Sequence, residues 1–349
     1  MGQQSFWDLE QRHEKLEQKQ DLLVRLNEMI PWEEFRLLLE QMHEKVRKSK
    51  AGRKPTDGVI LFKMLILQQL YNISDESLEY QVNDRLSFMR FLQLGIEDRV
   101  PDATTVWLFR EQLTNKGVIE QLFERFEEYL RQAGYQAEGG QIVDATLIPV
   151  PKQRNRAEEN EQIKQGEIPS AWQDKPHRLA QKDTDARWTK KNGVSYFGYK
   201  DHISIDTHYG FIRRYTVTDA AVHDSKMLGS LLDDDNCDDQ VWADSAYRSA
   251  AIEAVLKLLQ FESQIHERAY RNHPLSEQQT ETNRQKSKIR AKVEHVFGNW
   301  VMAMGGKLLR CIGKPRATAQ LGLKIWSTTS SVMSSGKPNR LIELVEDAN

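Results

Sequence analysis

The chain has 349 residues, enough for two domains or for one large domain with a smaller one attached. Hydrophobic residues make up 39% and charged residues 29%, a balance typical of globular proteins in water. The sequence has no apolar run of the roughly 18 to 20 residues that cross a membrane, no signal-peptide pattern, and only two cysteines, without zinc spacing. We therefore exclude a membrane protein, an exported protein and a disulfide-bonded scaffold, and we expect a cytoplasmic location.

The formal net charge of −2 excludes a uniformly basic nucleic-acid binder, but it hides strong local differences. Residues 45–54 hold six basic residues, residues 231–240 hold five aspartates, and residues 264–316 hold eleven basic residues against four acids. The first run can contact DNA phosphates, and the alternative of a merely solvated charge run stays open. The candidate DNA contacts in this run are Lys50, Arg53 and Lys54.

The first third of the chain has the periodicity of helices. Apolar residues recur at helical spacing over 5–48, with a turn expected at Pro31, and a loop rich in Gly and Pro then precedes an apolar helix at 59–72. Further helices are expected up to Gly134, because glycine commonly follows a helix end. The sequence thus predicts an all-α N-terminal module over 1–134.

Over 139–312 the pattern changes to short segments rich in Val, Ile, Tyr and Thr, which indicate strands. The segments 199–206 and 211–218 are expected to form a hairpin, and the order strand, hairpin, strand, helix, strand, helix predicts a mixed five-stranded sheet with flanking helices, an α+β or α/β fold. A polar stretch at 151–196 is too poor in apolar residues for a core segment and is expected to be a mobile insertion. Residues 313–349 are expected to form a C-terminal helical tail.

Two acids lie in or directly after apolar strands. Asp144 stands within Gln-Ile-Val-Asp-Ala-Thr, where burying an unpaired charge costs several kcal/mol unless a cation neutralises it. Asp244 ends Val-Trp-Ala-Asp and points off the carboxyl edge of the sheet, where sites of open α/β folds lie. Each acid has a structural alternative: a turn before Pro149 for the first, and the cap of a helix beginning near Ser249 for the second. The presence of both favours a metal site.

Glu294 is the third candidate ligand. It belongs to a helical segment whose apolar stripe it joins or borders, so its carboxylate is expected to face inward or to lie at the margin. The alternative is a solvated ion pair with Arg290, one turn earlier. The stripe consists of Ile289, Val293, Val296 and Phe297.

Three carboxylates on two strands and one helix suit two hard divalent cations, which prefer oxygen ligands and can be held about 4 Å apart across a phosphodiester. The nucleophile of such a site is first a metal-activated water and then a DNA 3′-hydroxyl, so no Ser or Cys is engaged covalently. The pattern therefore predicts phosphoryl transfer.

Five segments in this order resemble the DDE transposases of bacterial insertion sequences, in the insertion sequence five (InsH-like) group. They are Val-Asp-Ala-Thr-Leu-Ile (143–148), Phe-Gly-Tyr-Lys-Asp-His (197–202), Thr-Asp-Ala-Ala-Val-His-Asp-Ser (218–225), Ala-Asp-Ser-Ala-Tyr (243–247) and Ile-Arg-Ala-Lys-Val-Glu-His-Val-Phe-Gly (289–298). Each segment is weakly specific alone, whereas the ordered set is strongly specific.

The resemblance implies an RNase H-like catalytic domain with Asp144, Asp244 and Glu294 as its acids, and Mg²⁺ or Mn²⁺ as cofactor. It also implies that an InsH-like helical part at 52–134 precedes this domain. The implied partners are double-stranded DNA, both as the terminal inverted repeats of the element and as target, and further copies of the chain in a homodimer or a higher synaptic oligomer. Such a protein would act at the bacterial nucleoid.

The match departs from the family pattern at two positions. In that pattern a Tyr lies three residues before the Arg and a Lys lies seven residues after the Glu, but Ser287 and Val301 occupy these positions here. Other basic side chains are therefore expected to bind the DNA strand that is transferred. The candidates are Arg248, Arg290, Lys307 and Arg310.

His202, His223 and Tyr247 match the family segments and are candidates for supporting the acids, although a histidine in a strand or turn is more often a hydrogen-bonded structural residue. Trp172 and Trp188 in the polar insertion could stack on bases or dock the insertion on the body of the protein.

Two further functions fit the same residues. A nuclease or junction resolvase of RNase H-like fold would cut without joining, and the three acids alone do not exclude it. A domesticated DNA-binding protein would have lost catalysis, and the presence of all three acids disfavours it.

Overall fold

The structure, a computed structural model, describes residues 11–12, 14–15, 18–41, 56–270 and 273–335. The basic run at 45–54 lies outside the described residues, and with it Lys50, Arg53 and Lys54. The chain forms two compact units, one of Met1–Tyr129 with Gly322–Asn349 and one of Leu130–Leu321. None of the described helices is long and apolar enough to cross a membrane.

The first unit is helical throughout its described residues, as the sequence predicts. A 3-10 turn at Trp32–Phe35 follows the break at Pro31. The helices before the sheet are α1 (Leu22–Met29), α2 (Arg36–Glu40), α3 (Gly58–Tyr71), α4 (Asp75–Asp84), α5 (Leu86–Leu92), α6 (Ala103–Asn115) and α7 (Val118–Gln132).

The starts of α1, α3, α4 and α6 are fixed by side-chain caps. Asp21, Asp57, Ser74 and Asp102 each accept a hydrogen bond from a backbone N–H in the first turn of their helix, which satisfies donors that have no partner inside the helix. Helix α3 is apolar on nearly all sides and is buried along most of its length, as expected for a central helix.

The second unit is built on a mixed sheet of six strands. β1 is antiparallel to β3 and parallel to β5, which is parallel to β6. The other edge of β3 pairs with β2 along its first half and with β4 along its second half. The strands are β1 (Gln141–Pro149), β2 (Arg187–Lys191), β3 (Val194–Asp206), β4 (Ile212–Asp219), β5 (Gln240–Trp242) and β6 (Glu262–Ser263).

The expected count of five strands is wrong by one, because β2 forms inside the polar insertion. The turn that joins β2 to β3 is Asn192-Gly193, and both residues have positive φ, 52° and 80°. This is the backbone of a tight hairpin turn, which Asn-Gly adopts readily. The predicted hairpin of β3 and β4 is present, with a register shift between Ser204 and Ile205.

The expectation that 151–196 lacks a core is also wrong. Trp172 is fully buried, and its indole N–H donates to Glu159 Oε1 at 2.8 Å. Arg178 donates to the same oxygen at 3.0 Å, and Lys182 Nζ lies 5.2 Å from the centre of the Trp172 ring. One aromatic ring with two cations and a carboxylate therefore forms the centre of the insertion, in which Ile163 and Ala186 are also buried. The short helices around it are α8 (Ala157–Lys164), α9 (Ser170–Gln173) and α10 (Pro176–Leu179).

Helices cover both faces of the sheet. On one face Val143 packs in a buried cluster with Leu228 and Leu256, which belong to α11 (Leu228–Leu231) and α12 (Ala250–Leu258). Asp144 is the next residue in β1, so its side chain points to the other face. Helix α13 (Glu277–Met302) lies against β1 there. This alternation separates an apolar face from the face that carries the acid.

The C-terminal helix α14 (Lys314–Ser334) places Trp326 in the core of the first unit. The Trp326 ring centre lies 5.4 Å from that of Trp32, 5.2 Å from that of Phe62 and 4.7 Å from that of Phe126. The segment expected as a C-terminal tail thus supplies a buried aromatic residue to the helical unit.

We predict that Trp172→Ala opens the insertion. Removing a buried tryptophan costs about 3 to 5 kcal/mol and leaves the Glu159 carboxylate without its indole donor. The variant should raise the hydrogen-exchange and proteolysis rates within 151–196. The matched control is Trp188→Ala in the same insertion, which should change stability by less than about 1 kcal/mol because 43% of Trp188 is exposed. Equal protection in both variants would contradict the buried role of Trp172.

Candidate active site

Asp144 lies in the middle of β1, between β3 and β5. Its Oδ1 accepts the backbone N–H of Ala145 at 2.7 Å, and its Oδ2 accepts from Arg290 Nη2 at 3.1 Å. Burial raises the pKa of Asp144 to about 6, the Arg290 guanidinium opposes this rise, and the charges of Asp244 and Glu294 add to it. Asp144 therefore senses the other two acids, although none of its hydrogen bonds reaches them.

Asp244 follows β5 at its carboxyl end, beside the parallel strand β1. Its Oδ1 accepts the backbone N–H of Ala246 at 2.8 Å and caps the 3-10 turn Ser245–Tyr247. The alternative role, as cap of the following helix, belongs instead to Ser249, whose Oγ accepts from Ile252 N at 3.2 Å. Asp244 is half-buried at the sheet edge, where the sequence predicts it.

Glu294 lies at the exposed margin of the buried stripe of α13 and not inside it. Val293 and Val296 beside it are buried, whereas Glu294 itself is exposed. Arg290 forms its ion pair with Asp144 on the sheet, and not the alternative pair with Glu294 one turn away. The helix therefore presents its glutamate outward while its arginine reaches the central strand.

Lys307 returns to the sheet after the end of α13. Gly305 and Gly306 both have positive φ, 70° and 98°, and the chain reverses its direction there. Lys307 Nζ then donates to Thr146 Oγ1 at 2.6 Å, two residues from Asp144 on the same face of β1. Burial lowers the pKa of Lys307, and the nearby acids, with Glu294 first, oppose that shift. Arg310 is exposed.

The two candidate histidines do not contact the acids. His202 is buried, and its register partner Ala145 places it on the sheet face opposite Asp144. Its Nε2 lies 2.8 Å from Thr218 Oγ1, and burial lowers its pKa to about 4. His223 is exposed and caps a local turn, with Nδ1 2.6 Å from Ser225 Oγ.

Tyr247 and Arg248 follow Asp244 directly. Tyr247 is buried, and its hydroxyl has no hydrogen-bond partner within the described part of the chain. Burial raises its pKa well above the usual value, and Asp144 adds to the rise. Arg248 donates to Glu267 at 2.8 Å and lies 3.2 Å from Glu253, so its charge is already paired.

Positions 287 and 301, where the family pattern has Tyr and Lys, lie on the outer side of α13. Ser287 Oγ donates to the backbone of Asn283 at 2.9 Å, and Val301 is exposed. Of the two tryptophans considered for base stacking, Trp172 is buried and therefore unavailable, whereas Trp188 lines a cavity of about 420 Å³ beside the insertion.

Two residues near the acids were not anticipated. Asp201 is fully buried on β3 opposite Thr146, on the same sheet face as Asp144. His266 extends the pairing of β6, because its N–H donates to Ala243 O at 3.1 Å, and its pKa is lowered by burial and by Arg290 while Asp244 opposes the shift. The alternation of side chains along β3 could have shown that Asp201 points to one defined face of the sheet. The residues that surround Asp201 there depend on the register between β3 and β1, which the sequence of β3 alone does not show.

The donor set fits hard divalent cations, because all three candidate ligands are carboxylates. Burial is the main cause of the raised pKa of Asp144, the charges of Asp244 and Glu294 add to it, and a divalent cation would offset both effects. Among the described residues, however, no group of three His, Cys, Asp or Glu side chains is close enough to hold a metal ion. The acids therefore share one region of the second unit without forming a closed ligand set.

The chain matches two families of known proteins. Residues 11–112 match the Transposase domain (DUF772), and residues 135–329 match the Transposase DDE domain. Among solved structures, it is similar to the piggyBac transposase synaptic complex with hairpin DNA, at 11% identity and a TM-score of 0.46, over 92% of this chain and 76% of that chain. The DDE match covers more than half of the chain, so the protein belongs to the DDE transposases, metal-dependent enzymes that bind DNA, cut it and transfer the cut strand.

Proposed function

We propose that this chain is the transposase of a bacterial insertion sequence of the InsH-like group. It binds the ends of its element, hydrolyses the phosphodiester at each 3′ end and joins these ends to target DNA. The observation that carries the proposal is the placement of the acids: Asp144 lies on β1, Asp244 directly follows the neighbouring parallel strand β5, and the ion pair of Arg290 with Asp144 joins the helix of Glu294 to the same strand. Carboxylates in such a group suit phosphoryl transfer with divalent ions.

In this proposal Asp144, Asp244 and Glu294 hold two Mg²⁺ or Mn²⁺ ions. When bound, such ions activate the attacking water or 3′-hydroxyl and stabilise the charge on the leaving oxygen. Arg290 orients Asp144 through its 3.1 Å hydrogen bond. Its Nε is buried and has no hydrogen-bond partner among the described residues.

Lys307 and Arg310 are proposed to hold the transferred strand in place of the lysine missing at Val301. Lys307 lies on the face of β1 that carries Asp144, through its hydrogen bond to Thr146. Arg310 is exposed three residues further on, and the intervening backbone is fixed to β1 by the bond from Leu309 N to the last residue of that strand. Both cations are thus tied to the strand that carries the first acid.

The helical part at 1–134 and its basic run at 45–54 are proposed to bind the terminal inverted repeats. Two ends must be held together for joining, so a homodimer or a higher oligomer on DNA is the proposed active form. The proposed location is the bacterial cytoplasm, at the nucleoid.

We predict that Asp144→Asn, Asp244→Asn and Glu294→Gln each lower cleavage of a labelled element-end duplex in Mg²⁺ by at least about a thousandfold. Each change removes a metal ligand worth several kcal/mol of transition-state stabilisation while it keeps the side-chain shape. Melting temperature and DNA affinity should remain near those of the unchanged protein for Asp244→Asn and Glu294→Gln, whereas Asp144→Asn also breaks the buried ion pair with Arg290 and should melt at a lower temperature. The matched control is Glu281→Gln on the same helix, whose side chain is 54% exposed and which should cleave normally. Substantial cleavage by any of the three variants removes that residue from the site.

The same assay separates a transposase from a nuclease. A nuclease of the same fold would cut the end duplex but give no joined product with target DNA. Wild-type cleavage without joining, under conditions in which two ends are bound together, would therefore favour the nuclease.

Lys307→Ala combined with Arg310→Ala should lower strand joining more than hydrolysis. Joining must position a second DNA, whereas hydrolysis needs only water, so the ratio of joining to first-strand cleavage should fall by about tenfold or more, the effect of losing one or two charge-assisted contacts. The control is Arg284→Ala with Lys288→Ala, which removes the same charge from the exposed side of α13. An unchanged ratio in the first double variant, with an unchanged melting temperature, defeats the assignment.

Binding of the full chain to element-end DNA should weaken steeply with salt. Each lost phosphate contact lowers the slope of log affinity against log salt by about 0.9, so Lys50→Ala, Arg53→Ala and Lys54→Ala together should flatten the slope. Lys164→Ala, whose side chain is 65% exposed on the insertion, is the control. Equal affinity for end DNA and scrambled DNA would refute end recognition.

A further inference from the structure

Asp201 has no ordinary structural explanation. It is fully buried in β3, and neither carboxylate oxygen has a hydrogen-bond partner among the described residues. Asp206, a second fully buried acid of the same strand, shows the usual solution, because it accepts from Arg213 Nε at 3.0 Å and from two backbone N–H groups. A buried acid without such partners is destabilising, and its retention points to a function.

The sheet register brings Asp201 to the acid site. Asp201 is directly opposite Thr146 of β1, and Asp144 is opposite Ile203. Strand side chains alternate between faces, and directly opposed residues share a face. Asp201, Thr146 and Asp144 therefore lie on the one sheet face that α13 covers.

Lys307 is the cation next to Asp201. Its Nζ is 2.6 Å from Thr146 Oγ1, on the residue directly opposite Asp201, and 4.8 Å from the centre of the Phe297 ring. Burial raises the pKa of Asp201 well above its usual value, and the positive charge of Lys307 opposes that rise. Lys307 thus donates its hydrogen bond to the residue that faces Asp201 across the two strands, and the ammonium and the buried acid influence each other electrostatically without a hydrogen bond between them.

The charges around Lys307 explain why it needs a partner of its own. Its ammonium senses Glu294, Asp144 and Asp201 as attractive charges and Lys191 as a repulsive one. A flexible lysine among three acids would move to whichever acid is most accessible. Of these three acids Glu294 is the exposed one, and it is a proposed metal ligand that the ammonium would then block.

We propose that Asp201 is a positioning residue: with Thr146 it holds the Lys307 ammonium away from Asp144 and Glu294, in the place from which Lys307 binds a DNA phosphate. The proposal rests on the proposed function of Lys307 in strand joining. Asp201 acts only through Lys307 and touches neither DNA nor metal.

The first test uses the free protein and needs no DNA. An acylating reagent is added to the full chain, and the rate of modification at Lys307 is followed by mass spectrometry. Asp201→Asn should raise this rate by at least about threefold, because the ammonium loses the attraction of the buried acid behind Thr146 and leaves its place on the sheet more often. Asp183→Asn is the matched control: Asp183 is also buried, but its partners are Tyr199 and local backbone, so Lys307 should react as before.

The second test is a double-variant cycle on strand joining. Asp201→Asn and Lys307→Met should each lower the ratio of joining to cleavage by a similar factor, and the combined variant should lower it no further than Lys307→Met alone. The melting temperature of Asp201→Asn should not fall, because the substitution removes an acid that has no partner. Asp201→Leu provides a second variant of similar volume in case the asparagine form folds poorly.

The outcomes separate this proposal from the proposed function. An unchanged acylation rate at Lys307 in Asp201→Asn overturns the positioning role. So does a combined variant in which Asp201→Asn and Lys307→Met lower the ratio of joining to cleavage by the product of their separate factors. In a third outcome, Asp201→Asn lowers the melting temperature, the cleavage rate and the joining rate but leaves the acylation rate at Lys307 unchanged. This outcome identifies Asp201 as a structural residue and also overturns the positioning role. If the unchanged protein neither cuts nor joins element-end DNA, the proposed function fails, while the acylation rates still decide whether Asp201 holds Lys307.

Discussion

The ion pair between Arg290 and Asp144 is the contact on which the second unit depends. It joins the central strand β1 to helix α13 with an N–O distance of 3.1 Å, and only 13% and 14% of the two side chains are exposed. A carboxylate at this depth is destabilising without a cation, and breaking a buried pair by removing one partner is strongly destabilising. The pair therefore fixes the rotation of α13 about its axis, and that rotation places Glu294 at the margin of the same face.

Much of the fold could be predicted because local chemistry and tertiary structure agree. The capped helices of the first unit and the hairpin of β3 and β4 follow from their periodicity and turn residues. The missed strand β2 is polar except for Trp188, but the Asn192-Gly193 turn was a readable signal. The folded insertion was missed for a different reason: a core built on Trp172 and charged partners has no apolar periodicity to detect.

The acids of the candidate site could be proposed from the sequence, but their partners could not. Local spacing favours a pair of Arg290 with Glu294, yet the buried Asp144 has the greater need for a cation, and this competition is decided by tertiary structure. Asp201 was not predicted as a site residue, because the surroundings of an acid in a strand depend on the residues of the neighbouring strand. Here the neighbouring residue is Thr146, which accepts a hydrogen bond from Lys307. Register between distant strands is the information that a single sequence does not carry.

The two cations near the acids are held in different ways, and the difference bears on what each can do. Arg290 is in the interior of a 26-residue helix, next to buried residues of the same helix, so its position is fixed by packing. Lys307 follows the helix after Gly305 and Gly306, and a single hydroxyl accepts its hydrogen bond. A guanidinium that packing holds in one position can neutralise the same carboxylate at all times. An ammonium on a flexible side chain can exchange one hydrogen-bond partner for another at little cost in free energy. In the proposed function Asp144 therefore keeps its compensating charge throughout the reaction, and Lys307 is the one of these two cations that would follow a moving DNA strand.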